Sequence, residues 1–365
     1  CKSICDEHSR ERHRMTEPRL SRHFLGESCT SAALIPVPQY PHTSLLAVGS
    51  WSTDAQEHRV SLVSLHGGHQ AGPSLSSLAS LTVDGKVVGL RVYGTDASQR
   101  HVVALTRAGS LCCLRLSLPE GGAESLHGMQ ASGEGVPAGR LGPLHTARGA
   151  QPTGLALLGA GAQAVCVDWQ GGARLVDLGA APRRHPGTQL LAPASDPEPS
   201  RRFTCADAPP SGSTFLTGNA AGGVAAWDAR AAPGACPAQE LGPQSPAPAV
   251  QGVWVHPTQP HLVAAGDAGG ALALWDLRAT GGPAWRCPGR AGCGAVVGAA
   301  FAPSAAPRVA FATLDGTVAL ASAAGHSAEL YREPCAGMAA LVGDGDALLA
   351  LTAQEGLLVM QGVLG

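Results

Sequence analysis

The feature that most constrains this chain is a hairpin closing on Trp-Asp, and it occurs twice. From Leu262 to Arg278 the residues run LVAAGDAGGALALWDLR. A short apolar run meets Gly266 to Gly270, where an Asp and three glycines suit a tight turn with positive φ. A second apolar run then ends on Trp275-Asp276. Upstream, Phe215 to Arg230 reads FLTGNAAGGVAAWDAR, so Trp227-Asp228 and Trp275-Asp276 lie 48 residues apart. A hairpin of this kind, repeated about every 40–45 residues plus loop insertions, marks a four-stranded propeller blade. No such blade buries its apolar face alone, so further copies are expected along the chain.

Seven copies can be followed, over 45–65, 86–118, 153–178, 203–230, 250–278, 295–323 and 337–364. The positions equivalent to Asp276 are Ser64, Arg115, Asp177, Asp228, Ser322 and Gln361. Blades four and five carry the full Trp-Asp. Blade three keeps Asp177 with Val176 in the Trp place. The expected fold is therefore all-β, a seven-bladed WD-repeat β-propeller over residues 31–365. Three segments without strand pattern read as loop insertions: 119–150, 180–201 and 231–249, the last holding five prolines. Residues 66–82 read as a Gly/Ser-rich link. Residues 1–30 read as a disordered N-terminal extension, with Met15 the natural start. The section 19–37 has two open roles: leading into blade one, or returning to pair with the last blade and so removing a sheet edge.

Bulk properties narrow the function. Among 365 residues the hydrophobic share is 44% and the charged share 14%, enough for a large core. The net charge of −2 offers no basic excess for direct nucleic-acid binding. The eleven cysteines contain no CxxC pair and no close ligand spacing, which fits reduced, buried thiols in a cytosolic or nuclear protein. Cys112 and Cys113 adjoin in a strand and so should face opposite sides. No apolar run approaches the ~20 residues of a transmembrane segment.

The candidate chemistry reads mostly as architecture. Trp227 and Trp275 should pack between blades, while Asp228 and Asp276 end a strand and hold a turn. Arg230 and Arg278 complete Trp-Asp-x-Arg, a pattern that resembles the box with which WD-repeat receptors dock on a cullin-ligase adaptor; each guanidinium would face the rim. Residues 159–164 match GxGxxA, but a strand follows where a dinucleotide site needs a helix, so a hairpin turn is expected. Asp344-Gly345-Asp346 lacks the remaining ligands of a calcium loop and reads as a turn. His256-Pro257 reads as a strand-end loop. Arg183-Arg184-His185 and Arg201-Arg202 are small basic clusters in loops. No catalytic motif occurs, and the strands expected to line the central channel (VVGLRV, GLALL, VVGAAF) are nearly all apolar or small. No cofactor, metal or enzymatic activity is expected.

Blade one makes the reading more specific. LLAVGSWSTDAQEHRVSLVSL, with Gly49, Ser50 and Trp51, is similar to the opening blade of the nucleoporin 43 family, the small WD-repeat subunit of the Y-shaped nuclear pore scaffold. HPTQPHLVAAGDAGGALALWDLRATGGP in blade five and FLTGNAAGGVAAWDAR in blade four resemble the same family. Blades six and seven, without Trp-Asp, resemble it weakly. The resemblance implies a non-enzymatic scaffold at the nuclear pore and nuclear envelope. It would bind an α-solenoid nucleoporin alongside other Y-complex subunits and support protein and mRNA transport. The alternative implied by Arg230 and Arg278 is a substrate receptor of a cullin-type ubiquitin ligase.

Overall fold

Each hairpin found in the sequence is the middle of an antiparallel sheet. The computed structural model describes residues 19–364 apart from 39, 41–42, 69–71, 95–98, 119–150, 160–162, 179–186, 243–246, 280–281, 290–293, 304–306, 324–326 and 334–336. The chain opens with β1 (Arg19–Phe24). Blade one follows as β2 (Ser28–Ile35), β3 (Thr43–Ser52), β4 (Glu57–Gly68) and β5 (Gly72–Val83). Blade two holds β6 (Val87–Gly94), β7 (Gln99–Thr106) and β8 (Leu111–Ser117). Blade three holds β9 (Pro152–Leu158), β10 (Gln163–Asp168), β11 (Ala173–Asp177) and β12 (Thr188–Leu191). Blade four is β13 (Phe203–Asp207), β14 (Thr214–Asn219), β15 (Val224–Asp228) and β16 (Gln239–Leu241). Blade five is β17 (Val250–Val255), β18 (Leu262–Asp267), β19 (Leu272–Asp276) and β20 (Trp285–Cys287). Blade six is β21 (Val296–Phe301), β22 (Val309–Thr313), β23 (Thr317–Ala321) and β24 (Ser327–Arg332). Blade seven is β25 (Met338–Asp344), β26 (Ala347–Thr352) and β27 (Gly356–Gln361), with β1 as its fourth strand.

The inner strands β2, β6, β9, β13, β17, β21 and β25 each contact the next, and β25 contacts β2, so the ring of seven blades is closed. The molecule is thus an all-β propeller. Its sheets comprise six of four strands and, among the described residues, one of three strands in blade two.

The closure is made by the N-terminal strand. Arg19 pairs with Gln361, Ser21 with Val359 and Phe24 with Gly356. Both roles considered for 19–37 are therefore filled, β1 returning to blade seven and β2 opening blade one. This corrects the assignment of 1–30 as a disordered extension, because 19–24 and 28–30 are strand; residues 1–18 lie outside the described residues. Three other assignments are corrected likewise. Residues 66–82 hold most of β5, 180–201 holds β12 and a single 3-10 turn at Pro199–Arg201, and 231–249 holds β16. These strands sit at the outer edge of their blades, each with one paired neighbour among the described residues. The insertion at 119–150 lies outside the described residues.

The core is divided among the seams between blades. Seven apolar clusters fill them, one at each seam. Close approach is permitted by glycine where the sequence places it. At the end of a middle strand, a Cβ on Gly49 would lie 2.8 Å from Val87 Cβ, one on Gly218 2.5 Å from Val250 Cγ1, and one on Gly266 2.5 Å from Val296 Cβ. Each of these glycines receives the valine that starts the next blade. On other middle strands Val167 shares a seam with Phe203, Ala312 with Met338 and Leu351 with Cys29, so residue size is complementary across these six seams.

Candidate functional site

The two Trp-Asp ends serve the seams first. Trp227 is 8% exposed and packs with Val165, Val167 and Leu190 of blade three and with Phe203 and Phe215 of its own blade. Its ring meets Phe203 edge-on at 5.7 Å, and Nε1 donates to Thr217 Oγ1 at 2.9 Å. Trp275, 7% exposed, packs with Leu216, Val224, Ala226 and Leu241 of blade four. Both indoles lie between blades.

The acidic partner turns the chain at the rim. Asp228 Oδ1 accepts from the Arg230 amide at 2.9 Å and from Arg230 Nε at 3.1 Å, while Oδ2 accepts from Nη2 at 2.8 Å. Ser213 Oγ also donates to Oδ1 at 3.0 Å. Asp276 and Arg278 repeat the arrangement with bonds of 3.0, 3.0 and 2.7 Å. The arginine side chain and amide beside each carboxylate hold it below the usual range, Asp276 at about 2 and Asp228 lower still. Arg230 and Arg278 are thus solvent-facing, at 78% and 68% side-chain exposure, yet each guanidinium grips its own aspartate through two nitrogens. Asp177 occupies the equivalent end of β11, opposite Gln163, and is exposed.

Ends of the middle strands carry a second recurrent device. Asp267 Oδ1 accepts from the amides of Gly269 and Ala271, and Asn219 Oδ1 from those of Ala221 and Gly223. Thr106 and Thr352 hydroxyls accept from Ser110 and Gly356. A short polar side chain that bonds its own turn explains why this position takes Asp, Asn or Thr.

The blade-one residues have different surroundings. Gly49 meets Val87 at the seam. Ser50 Oγ donates to Glu27 Oε2, which lies between β1 and β2, and Arg59 Nη1 bonds Glu27 Oε1 at 3.0 Å. Trp51 is half-buried and pairs in register with His58, ring centroids 4.5 Å apart.

The remaining candidates, where they fall among the described residues, are turns or packing. Gly159 has φ of +55° at the end of β9, and 160–162 lie outside the described residues. Gly345 has φ of +61° between β25 and β26, and Ser44 Oγ donates to Asp344 Oδ2. His256 is buried against Phe301, and its Nδ1 accepts from the amides of Thr258 and Gln259 at 3.2 and 3.1 Å. Arg202 bonds Asp196 and Pro197 O, whereas Arg183, Arg184 and His185 lie outside the described residues. Cys112 packs toward blade one and Cys113 toward blade three. Burial raises the thiols of Cys29 and Cys166 to about 12 and that of Cys205 to about 11. Such thiols stay protonated and unreactive.

Sequence reasoning missed one ion pair among the inner strands. Arg91 of β6 reaches past blade three to Asp207 of β13, Nη2 to Oδ1 at 3.3 Å, and to Ala206 O at 3.0 Å. Asp207 Oδ2 accepts from the Val255 amide of β17. One carboxylate therefore links blades two, four and five. Arg91 was visible in VVGLRV, but nothing in the sequence set Asp207 opposite it. Among the described residues no three His, Cys, Asp or Glu side chains converge on a metal-sized site, and no helix is long and apolar enough to cross a membrane.

The fold and its seams define the class: a closed seven-bladed β-propeller, WD-repeat-like in its Trp-Asp hairpins. No family model matches the chain, and no curated protein sequence matches it.

Proposed function

We propose that this chain is a non-enzymatic scaffold propeller of the nucleoporin 43 kind, seated in the Y-shaped scaffold of the nuclear pore. It would bind an α-solenoid nucleoporin beside the other Y-complex subunits and contribute to protein and mRNA transport across the nuclear envelope. The observation that carries this reading is Gly49-Ser50-Trp51 at the blade-one position where the family resemblance is most specific. There Gly49 admits Val87, and Ser50 ties β3 to Glu27 at the ring closure. A closed disk packed at every seam supports a scaffold role, because it presents faces and a rim without internal rearrangement.

The second reading, docking on a cullin-ligase adaptor, draws on Arg230 and Arg278 at the rim. Their guanidiniums must first leave Asp228 and Asp276, which favours the scaffold reading. Affinity capture of the tagged full chain from nuclear envelopes, with mass spectrometry, separates the two. The scaffold reading expects Y-complex solenoid subunits, retained after Arg230→Ala with Arg278→Ala, and a nuclear-rim signal in imaging. Capture of a ligase adaptor, lost on that double substitution, would replace it.

A further inference from the structure

The outer strands of the blades are not alike. An outermost strand presents unpaired backbone N–H and C=O groups, and proteins blunt such edges with charge, shortness or cover. Here β16 and β20 have 3 residues each and β12 has 4. β24 carries Glu329 and Arg332, and β1 carries Arg19, Arg22 and His23. β8, the outermost described strand of blade two, carries Arg115. β5 is the exception, with 12 residues, GPSLSSLASLTV, and no charged side chain. Among the described residues it pairs with β4 alone, and β1 of the neighbouring blade passes near it without pairing. One bulge at Leu78 divides it, since Leu62 faces Ala79 and Val63 faces Ser77. The runs on either side are each still longer than β12, β16 or β20.

A second observation converges on the same edge. The seam between blades seven and one opens at the rim into a groove of about 310 Å³. One wall is the face of blade one bearing Val48, Val63, Leu75, Ser77 and Ser80. Phe24 of β1 stands opposite, 74% exposed. Arg59 and Glu27 satisfy each other at the groove's edge, 3.0 Å apart, so the charges there are already paired. A strand added along β5 would place every second side chain on the face that lines this groove.

We propose that the free edge of β5 is a docking site for an extended, uncharged segment of a partner protein, which adds as a fifth strand to blade one. Its backbone pairs with Ser74–Thr82, and its alternate apolar side chains enter the seam beside Phe24 and Leu75. Main-chain pairing supplies the affinity and the groove selects alternate side chains, the division of labour found in β-strand addition. The assignment stands apart from the pore reading, because it requires only an extended segment and not a particular assembly.

The test uses the full chain and a fluorescent synthetic peptide, four Thr-Val repeats flanked by two serines at each end. A matching peptide with a central proline is the control. Anisotropy measures binding, and hydrogen-exchange mass spectrometry locates it. The expected result is slowed exchange at 74–82, no binding of the proline peptide, and affinity at least ~10-fold weaker in Ser77→Lys/Ser80→Lys. Phe24→Ala, at a side chain too exposed to matter for folding, should also weaken binding and carries the comparison if the lysine variant melts early. Unchanged exchange at 74–82, or binding indifferent to both variants, would overturn the proposal. Slowed exchange that needs no peptide and rises with protein concentration, with a dimer mass by sedimentation, would overturn the partner assignment in favour of a second copy.

Discussion

Trp275 shows how single residues hold this ring. Its indole belongs in sequence to blade five and in packing to blade four. Truncation to Ala should cost ~3–5 kcal/mol, the range for a buried aromatic. Thermal denaturation checks this, and a shift below a degree would mean the indole is not a seam residue. Gly266 tests the complementary side, where space rather than bulk is needed. A methyl there would lie 2.5 Å from Val296 Cβ, so Gly266→Ala should destabilise by ~1–3 kcal/mol through overpacking. The rim pairs give an acid signature. Arg278 depresses Asp276 from 3.8 to about 2, so the pair's contribution is complete above the unfolded value and is lost as pH falls toward about 2. Melting temperature measured across that interval should fall less steeply in Arg278→Ala than in the parent protein. Equal slopes would show that the guanidinium does not hold the carboxylate in solution.

At the scale of elements, the middle pair of each blade was legible and the outer strand was not. β18 and β19 are apolar runs bounded by glycine and Trp-Asp, buried on both faces, so composition alone marks them. β16 is Gln-Glu-Leu and β12 is Thr-Gln-Leu-Leu, too short and too exposed to alternate visibly. β5 was hidden by its serines, which face solvent at 74, 77 and 80. β1 was foreseen only as one of two roles open to 19–37, because its charges mask any strand pattern and a strand pairing at the edge needs only a backbone partner. Within the candidate site, the Trp-Asp-x-Arg residues were readable from spacing, whereas the self-engagement of each arginine required the coordinates. The Arg91–Asp207 pair joins residues far apart in sequence through the packing of three blades. Removing residues 1–24 takes away six paired positions on β27. At ~0.5–1 kcal/mol per backbone hydrogen bond, the loss should be on the order of 3–6 kcal/mol. Urea denaturation of the shortened chain checks it, and an unchanged midpoint would show that β1 contributes nothing to closure.

For the whole molecule, stability and function both depend on the ring being shut. Each seam is a core of its own, and each blade belongs to two of them, so an opening at blades seven and one would leave Val48, Val63, Leu349 and Val359 facing water. A closed disk has no such liability and offers partners a fixed rim. Native-state hydrogen exchange of the full chain tests the closure most directly. The amides of Arg19–Phe24 and Gly356–Gln361 should be protected together, opening with the same free energy as the neighbouring strand β26. Exchange of Arg19–Phe24 at unprotected rates, while blades two to five stay protected, would contradict a ring closed by its own N-terminal strand.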